Sequence, residues 1–319
     1  MILYKTNEYH MRCPGCNSTE IIKRGKRQGK FVCKQLYFCK NCGKRFADQS
    51  LKYKIHSPRV IYHALNYYNL GHTLDESSKL VNRQFKIRTG KSTIHSWITE
   101  FRNLCPISKA RSFFSDYNHV LFTKRFEHEN LDYEFMYHKY KLDVLCRNKF
   151  PGLFQYITRF EQGCPDVFFE IGERCSQPKF KVTVNARKKK NLACTMTEFA
   201  TKAARNNYER HKMVETFMLI NDKATIAIEV PAWYWEKNID NGVTGHIDLL
   251  QVRNDHVYIL DYKPDASKDK KAPWQLYHYA LALSFRTRIP LRNIVCAWFD
   301  KEIYYEYKPA DVDTKLIGT

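Results

Sequence analysis

Two aspartates and a lysine in the last third of the 319-residue sequence have the types and spacing of a metal-assisted hydrolytic site. Residues 257–263 alternate as a strand, and because residues two apart on a strand point to the same side, Asp261 and Lys263 project together. Asp248 lies on a preceding strand, residues 245–250, joined by a short turn. Carboxylate oxygens are the ligands that Mg²⁺ and Mn²⁺ prefer. Such a cation lowers the pKa of a bound water, while the lysine stabilises developing negative charge on a phosphodiester.

A helix before these strands carries two further candidate ligands. Residues 195–198 form a capping box, which predicts that one long helix begins there. Apolar residues sustain it at helical spacing, Tyr208 among them. His211 and Glu215 are four residues apart on this helix and therefore share one of its faces.

The next strand, over residues 226–230, carries Glu229 and is predicted to end at Pro231. Each of these residues also has an ordinary structural explanation. A strand-end aspartate near a lysine is usually a surface ion pair, and a lone histidine on a helix is usually a satisfied core residue. The order and spacing of all the motifs, rather than any single residue, therefore favour a site.

In this order the motifs resemble those of the PD-(D/E)xK nucleases, in their RecB-like branch. The matching segments are His211 with Glu215, Gly245-His-Ile-Asp248, Asp261-Tyr-Lys263 and Gln275-Leu-Tyr-His-Tyr279. The resemblance covers about residues 195–308. It implies an α/β restriction-endonuclease-like domain with a mixed central sheet.

The resemblance also implies a role for each matching residue. The expected Mg²⁺ or Mn²⁺ ligands are His211, Asp248, Asp261 and the Tyr262 carbonyl, with Glu215 and Glu229 as weaker candidates. Lys263 would be the catalytic lysine, and Gln275 and Tyr279 would order the site or contact the DNA backbone. Some relatives hold an iron–sulfur cluster with several cysteines after the Q-x-x-x-Y helix. Only Cys296 lies there, so no iron–sulfur cluster is expected.

Four cysteines near the N-terminus form two C-x-x-C knuckles. They are Cys13, Cys16, Cys39 and Cys42. Two such knuckles complete a tetrahedral site for structural Zn²⁺, with no position left open for catalysis. The segment resembles the zinc ribbon of insertion-sequence transposases, and its basic surface is expected to contact DNA through four residues: Lys23, Arg24, Lys26 and Arg27.

Residues 57–103 have the pattern of three helices. The first begins at Ser57-Pro58, and the second opens with a capping box that starts at Thr73. The third places Ile94 and Trp97 on one face. The polar residues left for DNA are Arg88, Lys91, Thr93, His95 and Ser96. This all-α segment resembles the helix-turn-helix region of insertion-sequence transposases, with a plain three-helix bundle as the alternative.

The charge of the chain favours a polyanionic partner. Its formal net charge is +20, and residues 1–60 hold fourteen Lys or Arg against three acidic residues. Each cation that neutralises a phosphate releases counterions, so double-stranded DNA is the expected partner. No apolar run approaches the ~20 residues of a membrane span, and a secretory signal is lacking. The sequence predicts a cytoplasmic, nucleoid-associated protein that does not bind membranes.

The sequence predicts a multidomain protein with four parts. These are a small β zinc ribbon (1–50), a helix-turn-helix region (57–103), an intervening region of uncertain fold (104–194) and the nuclease domain (195–319). The aspartates of the intervening region raise the alternative of an RNase H-like core, but no strand pattern accompanies them. They are Asp116, Asp132, Asp143 and Asp166.

These expectations together describe a metal-dependent DNA endonuclease linked to a mobile element, a virus or a defence system. It would act as a homo-oligomer or with a partner protein of the mobile element. One alternative is a non-catalytic DNA-binding regulator with a vestigial nuclease fold. The other is an exonuclease or an RNA-processing nuclease.

Overall fold

The computed structural model describes residues 13, 16, 18–28, 33–47, 56–114, 119–128, 131–165, 169, 173–175, 180–237 and 240–316. The chain forms two compact units, Met1–Pro58 and Arg59–Thr319. Within the described ranges, no helix has the length and apolarity needed to cross a membrane.

The first unit contains a small antiparallel sheet. Its strands are β1 (Ile21–Gln28), β2 (Cys33–Cys39) and β3 (Arg45–Ala47), with β2 in the middle. Tyr37 and Phe46 stack across β2 and β3 with ring centroids 5.6 Å apart. The small β region that the cysteine knuckles predict is therefore present.

The three helices predicted between residues 57 and 103 are confirmed. They are α1 (Pro58–Asn69), α2 (Leu74–Phe85) and α3 (Lys91–Glu100). Thr73 and Glu76 form the predicted capping box at the start of α2, and Ile94 and Trp97 are buried. Four of the predicted DNA contacts are exposed, namely Arg88, Lys91, His95 and Ser96, while Thr93 is half-buried. A helix-turn-helix function for these helices stays a prediction.

A mixed sheet forms the centre of the second unit and has nine strands within the described part of the chain. The remaining strands are β4 (Leu121–His128), β5 (Leu131–His138), β6 (Glu173–Arg174), β7 (Phe180–Thr183), β8 (Arg187–Lys189), β9 (Thr225–Glu236), β10 (Asn241–Arg253), β11 (His256–Tyr262), β12 (Ile294–Phe299), β13 (Tyr304–Tyr307) and β14 (Asp313–Leu316). The sheet order is β4-β5-β9-β10-β11-β12-β13-β8, with β6 beside β10. The β11–β12 and β6–β10 pairs are parallel and the others are antiparallel, while β7 and β14 pair separately.

Five further helices pack around this sheet within the described part of the chain. They are α4 (Lys139–Cys146), α5 (Pro151–Arg159), α6 (Leu192–Ala203), α7 (Asn207–Asn221) and α8 (Ala272–Thr287). Short 3₁₀ turns span Arg102–Leu104, Pro106–Phe114, Leu291–Asn293 and Pro309–Asp311. One apolar core joins α4, α5 and α8 to strands β5 and β9–β12.

The intervening region contributes to this sheet. Strands β4 and β5 extend it beyond β9, and β8 closes its other end. The sheet thus uses residues well before position 195, where the sequence places the start of the nuclease domain. Asp132 lies exposed on β5 and Asp143 pairs with Arg147 on α4, whereas Asp116 and Asp166 lie outside the described residues.

Two local predictions are corrected. The single long helix is two helices, and Asn191 rather than Thr195 caps the first by accepting a hydrogen bond from the Cys194 amide. The strand predicted to end at Pro231 continues as β9 to Glu236. The hairpin between β10 and β11 is as predicted, with a two-residue turn at positive φ, the geometry that matches strand twist.

Helix α7 is held firmly from the side of α1. The Tyr62 hydroxyl donates to the Met213 carbonyl at 3.0 Å. The Asn221 amide donates to Asn66 Oδ1 at 2.7 Å, and the Asn69 amide donates to Asn221 Oδ1 at 2.6 Å. Because these groups are buried and satisfied, they fix the helix that carries the predicted ligands.

Candidate active site

Three acidic side chains lie in a row across the central strands. Glu229 and Asp248 lie between two paired positions of β9 and β10, Ile228–Leu249 and Val230–Ile247, and Asp248 and Asp261 lie next to the last paired position of β10 and β11, Leu249–Leu260. The charge of Asp248 acts on both Glu229 and Asp261, so the three carboxyls are neighbours. Glu229 has φ of 48°, a left-handed conformation that costs energy for a residue with a side chain. Strain of this kind is typical of functional positions.

Helix α7 brings two more candidate ligands over this row. His211 Nε2 lies 3.4 Å from Asp248 Oδ2. The ligand atoms of His211, Glu215 and Asp248 all lie within 4.8 Å of one another. Glu215, a weaker candidate in the sequence, therefore belongs to the closest group. The Tyr262 amide donates to Asp248 Oδ2 at 3.0 Å and orients that carboxylate, while a role for the Tyr262 carbonyl stays a prediction.

The acidic side chains of this site lie close together, so their negative charges repel one another. Burial raises the pKa of Asp261 well above its usual range, and the charge of Asp248 raises it further. Burial likewise raises the pKa of Glu215, helped by Glu229 and Asp248. The pKa of Glu229 is raised to about 8, by burial and then by Asp248. The structure thus concentrates carboxyls that favour a proton or a cation.

Asp248 and His211 behave differently from the other members of the site. Burial acts to raise the pKa of Asp248, but the hydrogen bond and charge of His211 outweigh it and lower the pKa. Burial acts to lower the pKa of His211, but the hydrogen bond and charge of Asp248 outweigh it and raise the pKa. Each of these two residues therefore favours the charged form of the other when no cation is bound.

Lysine 263 is oriented by a chain of contacts. Lys263 Nζ lies 2.8 Å from Asp261 Oδ2 and donates to Gln275 Oε1 at 3.1 Å. Gln275 Nε2 donates to the Tyr279 hydroxyl at 2.9 Å. Burial acts to lower the pKa of Lys263, but the charges of Asp261 and Asp248 raise it, so the ammonium form persists. Tyr279 is buried, which favours the ordering role over DNA contact.

Glycine 245 makes this chain of contacts sterically feasible. A Cβ atom at Gly245 would lie 2.7 Å from Tyr279 Cε1, closer than van der Waals contact allows. The glycine of the Gly-x-x-Asp segment therefore leaves room for the tyrosine ring. This contact joins β10 to the Gln275 end of α8.

The donor set fits a divalent cation. Glu215 Oε1 is buried and has no hydrogen-bond partner among the described residues. An unpaired buried carboxyl oxygen is costly, and a bound cation removes that cost. One imidazole nitrogen and carboxylate oxygens suit Mg²⁺ or Mn²⁺. His211, Glu215 and Asp248 would hold the ion, with Asp261 beside it.

The carboxyl row is reached from two cavities. One, of about 180 Å³, is lined by Asp248, Gln275 and Tyr279. The other, of about 370 Å³, is lined by His211 and Glu215. Glu229 and Tyr133 line both cavities. Asp248 is therefore reached from the first cavity and His211 and Glu215 from the second, whereas Asp261 lines neither.

The N-terminal cysteines form a separate cluster. Their sulfur atoms lie within 4.8 Å of one another, with Cys13 and Cys42 3.5 Å apart and Cys16 and Cys39 3.6 Å apart. A tetrahedral Zn²⁺ with bonds of about 2.3 Å requires separations of about 3.8 Å. The cluster could therefore bind zinc. The neighbouring predicted DNA contacts on β1 are exposed, namely Lys23, Arg24, Lys26 and Arg27.

The sequence misjudged one residue near the site. The helical spacing predicts that Tyr208 is one of the buried apolar residues of its helix, but its side chain is 94% exposed. It lines the same cavity as His211 and Glu215. Its spacing of three and seven residues from them already places it on their face of α7.

Comparison with known proteins supports the geometry of the second unit. Residues 155–302 match the family model described as the PD-(D/E)XK nuclease superfamily. This range contains the acidic row, α7, Lys263 and the whole of α8. The search of curated proteins and the search of solved structures each returned no match. Residues 155–302 thus form a PD-(D/E)XK nuclease superfamily domain.

Proposed function

We propose that this protein is a DNA endonuclease that depends on Mg²⁺ or Mn²⁺ and belongs to the RecB-like branch of the superfamily. The observation that carries the proposal is the meeting of the Glu229–Asp248–Asp261 row with His211 and with the adjacent Lys263. Superfamily membership supports nuclease activity. The branch assignment rests on the order of the sequence motifs, from the ligand histidine to the Q-x-x-x-Y helix.

Each residue of the site has a distinct task in this proposal. His211, Glu215 and Asp248 would hold the cation, which would supply positive charge to the scissile phosphate and lower the pKa of a bound water. Lys263, kept charged by Asp261, donates hydrogen bonds to the phosphate as negative charge develops. Gln275 and Tyr279 hold that ammonium in place.

DNA is the proposed substrate because of the charge on the chain and the N-terminal segments. The basic strand beside the cysteine cluster and the polar face of α3 would hold duplex DNA. The zinc ribbon and the helix-turn-helix would thus select where the nuclease acts. A link to a mobile element, a virus or a defence system follows from the resemblance of these segments to transposase DNA-binding regions.

A cleavage assay with the full chain tests the proposal. Supercoiled plasmid, linear duplex, single-stranded circles and RNA are incubated with Mg²⁺ or Mn²⁺, or with EDTA. Cleavage of circular DNA is expected with the metals and not with EDTA. Asp261→Asn is expected to lose at least about 10²-fold in rate, because it removes one charged group from the centre. Asp311→Asn, at an exposed position outside the site, is the matched control.

Each other outcome has a defined meaning. Undiminished cleavage by Asp261→Asn overturns the site assignment. Cleavage of linear ends alone favours an exonuclease, and cleavage of RNA alone favours an RNA-processing nuclease. No cleavage of any nucleic acid by the wild type favours the DNA-binding regulator.

A further inference from the structure

Tyr208 occupies an unusual position for an aromatic residue. It lies on the first turn of α7 and is the most exposed large hydrophobic side chain of the described residues, at 94%. Within the described part of the chain its ring contacts no other ring and its hydroxyl makes no hydrogen bond. Packing therefore gives no reason for an aromatic side chain here.

The surroundings of Tyr208 supply a functional reason. Tyr208, His211 and Glu215 are spaced three and seven residues apart, so they form one stripe along α7. Side chains three apart on a helix have Cβ atoms about 5–6 Å from each other. All three line the cavity of about 370 Å³ that opens onto the acidic row. The exposed ring therefore stands at the entrance to the candidate metal site.

Two cationic side chains, Arg125 and Lys212, line this entrance together with the acidic residues Asp132 and Glu134, and two arginines lie near it in sequence. Arg205, Arg210 and Lys212 are exposed on or beside the same turn of α7, and Arg125 lines the cavity. Lys212 Nζ lies 2.5 Å from Glu134, which fixes its position at the rim. Lysine and arginine neutralise phosphates, and an aromatic face stacks on a base. Together they match a nucleic-acid strand whose base is free to stack.

We propose that Tyr208 stacks on an unpaired nucleobase next to the phosphate that is cut, an inference that rests on the proposed nuclease function. In an intact duplex both faces of a base are covered by its neighbours, so none is available to the tyrosine. The substrate at this site is therefore a single strand or a splayed end. Duplex DNA held by the N-terminal segments must open locally before its strand reaches the metal site.

Three variants of the full-length protein test this inference. Tyr208→Ala removes the ring, and Tyr208→Phe keeps the ring and removes the hydroxyl. Phe285→Ala removes another exposed aromatic side chain, 71% exposed near the far end of α8, and is the matched control. KM and kcat are measured for a single-stranded oligonucleotide and for the duplex of the same sequence. Binding of the labelled single strand is measured in EDTA by fluorescence anisotropy.

Tyr208→Ala is expected to raise the KM and the Kd for the single strand about tenfold, which corresponds to about 1.4 kcal/mol of lost stacking. Tyr208→Phe and Phe285→Ala are expected to stay within about twofold of the wild type, given that the ring carries the stacking. The KM for the duplex is expected to change less than that for the single strand.

Three results would overturn the inference. The first is a Tyr208→Ala protein that binds the single strand as the wild type does. The second is an equal loss with Tyr208→Phe, which would assign the effect to the hydroxyl. The third is an equal loss of single-strand binding with Phe285→Ala, which would show that the effect is not specific to Tyr208. Because binding is measured without metal, these results can be interpreted even if the wild type cuts no substrate. Absence of cleavage would contradict the proposed nuclease function but not the stacking inference.

Discussion

Helix α7 borders two buried polar clusters, one towards α1 and one towards strands β9–β11. The first is the asparagine cluster, Asn66, Asn69 and Asn221, whose amides bond one another at 2.6 and 2.7 Å. The second is the carboxyl cluster, Glu215, Glu229, Asp248 and Asp261, in which Glu215 Oε1 has no hydrogen-bond partner within the described ranges. All three asparagines are buried, as are Glu215 and Asp261, whereas Glu229 and Asp248 are half-buried. The two clusters differ above all in whether their polar atoms have hydrogen-bond partners.

This difference indicates a structural role for the asparagine cluster and a functional role for the carboxyl cluster. Satisfied buried amides hold α1 against α7 and stabilise the fold. Neighbouring carboxylates that repel one another and are shielded from solvent destabilise the fold until a cation neutralises their charge. A protein retains such a group when it needs the cation. We therefore expect loss of a side chain from the asparagine cluster to lower the free energy of unfolding. Loss of a buried charge from the carboxyl cluster should raise it when no metal is bound.

The largest expected effect is on catalysis at the carboxyl cluster. Lys263→Met removes the ammonium that Asp261 and Gln275 orient, and kcat should fall about 10²–10³-fold, as for loss of one electrostatic stabiliser. Lys268→Met, at an exposed position nearby, should leave kcat within about twofold. Equal rates for Lys263→Met and the wild type would contradict the lysine's assignment.

The next effect is on stability at the asparagine cluster. Asn221→Ala leaves the side chains of Asn66 and Asn69 without their bonds, so the free energy of unfolding should fall by about 2–3 kcal/mol. Chemical denaturation measures this loss, with the exposed Lys223→Ala as control. Cleavage per folded molecule should persist at low temperature. If Asn221→Ala were as stable as the wild type but no longer cleaved its substrate, the asparagine cluster would have a functional rather than a structural role.

The smallest effect is a gain in stability at the carboxyl cluster without metal. Burial raises the pKa of Glu215 in the folded state above its unfolded value, so the folded state binds more protons between the two values. Wild-type stability should therefore fall as pH rises through that window. Glu215→Gln has no charge to bury. In EDTA at pH ~8 it should be more stable than the wild type by about 1 kcal/mol, and this advantage should be smaller at pH ~5. If the difference in stability between Glu215→Gln and the wild type were the same at both pH values, the buried charge of Glu215 would not be what destabilises the fold.

Local patterns were sufficient to predict much of this architecture. The cysteine knuckles, the capping box at Thr73 and the turn between β10 and β11 each depend on residues close in sequence. The neighbouring positions of Asp248, Asp261 and Lys263 follow from strand alternation and that short turn. These features need no information about distant parts of the chain.

Other features depend on long-range contacts and could not be predicted. Strands β4 and β5 join the sheet through β9, nearly a hundred residues later, and their sequence shows no clear period. The continuation of β9 past Pro231 and the left-handed conformation of Glu229 are likewise not revealed by alternation. The exposure of Tyr208 was missed because an apolar residue at helical spacing is usually buried.

Calorimetric titration of the zinc-loaded full chain with Mn²⁺ tests most directly whether the carboxyl cluster is a metal site. We expect the wild type to bind Mn²⁺ and Asp248→Asn, which alters the ligand contacted by His211, to bind it at least about tenfold more weakly, or about 1.4 kcal/mol. Thiolates are poor ligands for this hard ion, so the cysteine cluster should not contribute. Absence of binding by the wild type, or equal binding by Asp248→Asn, would contradict the account.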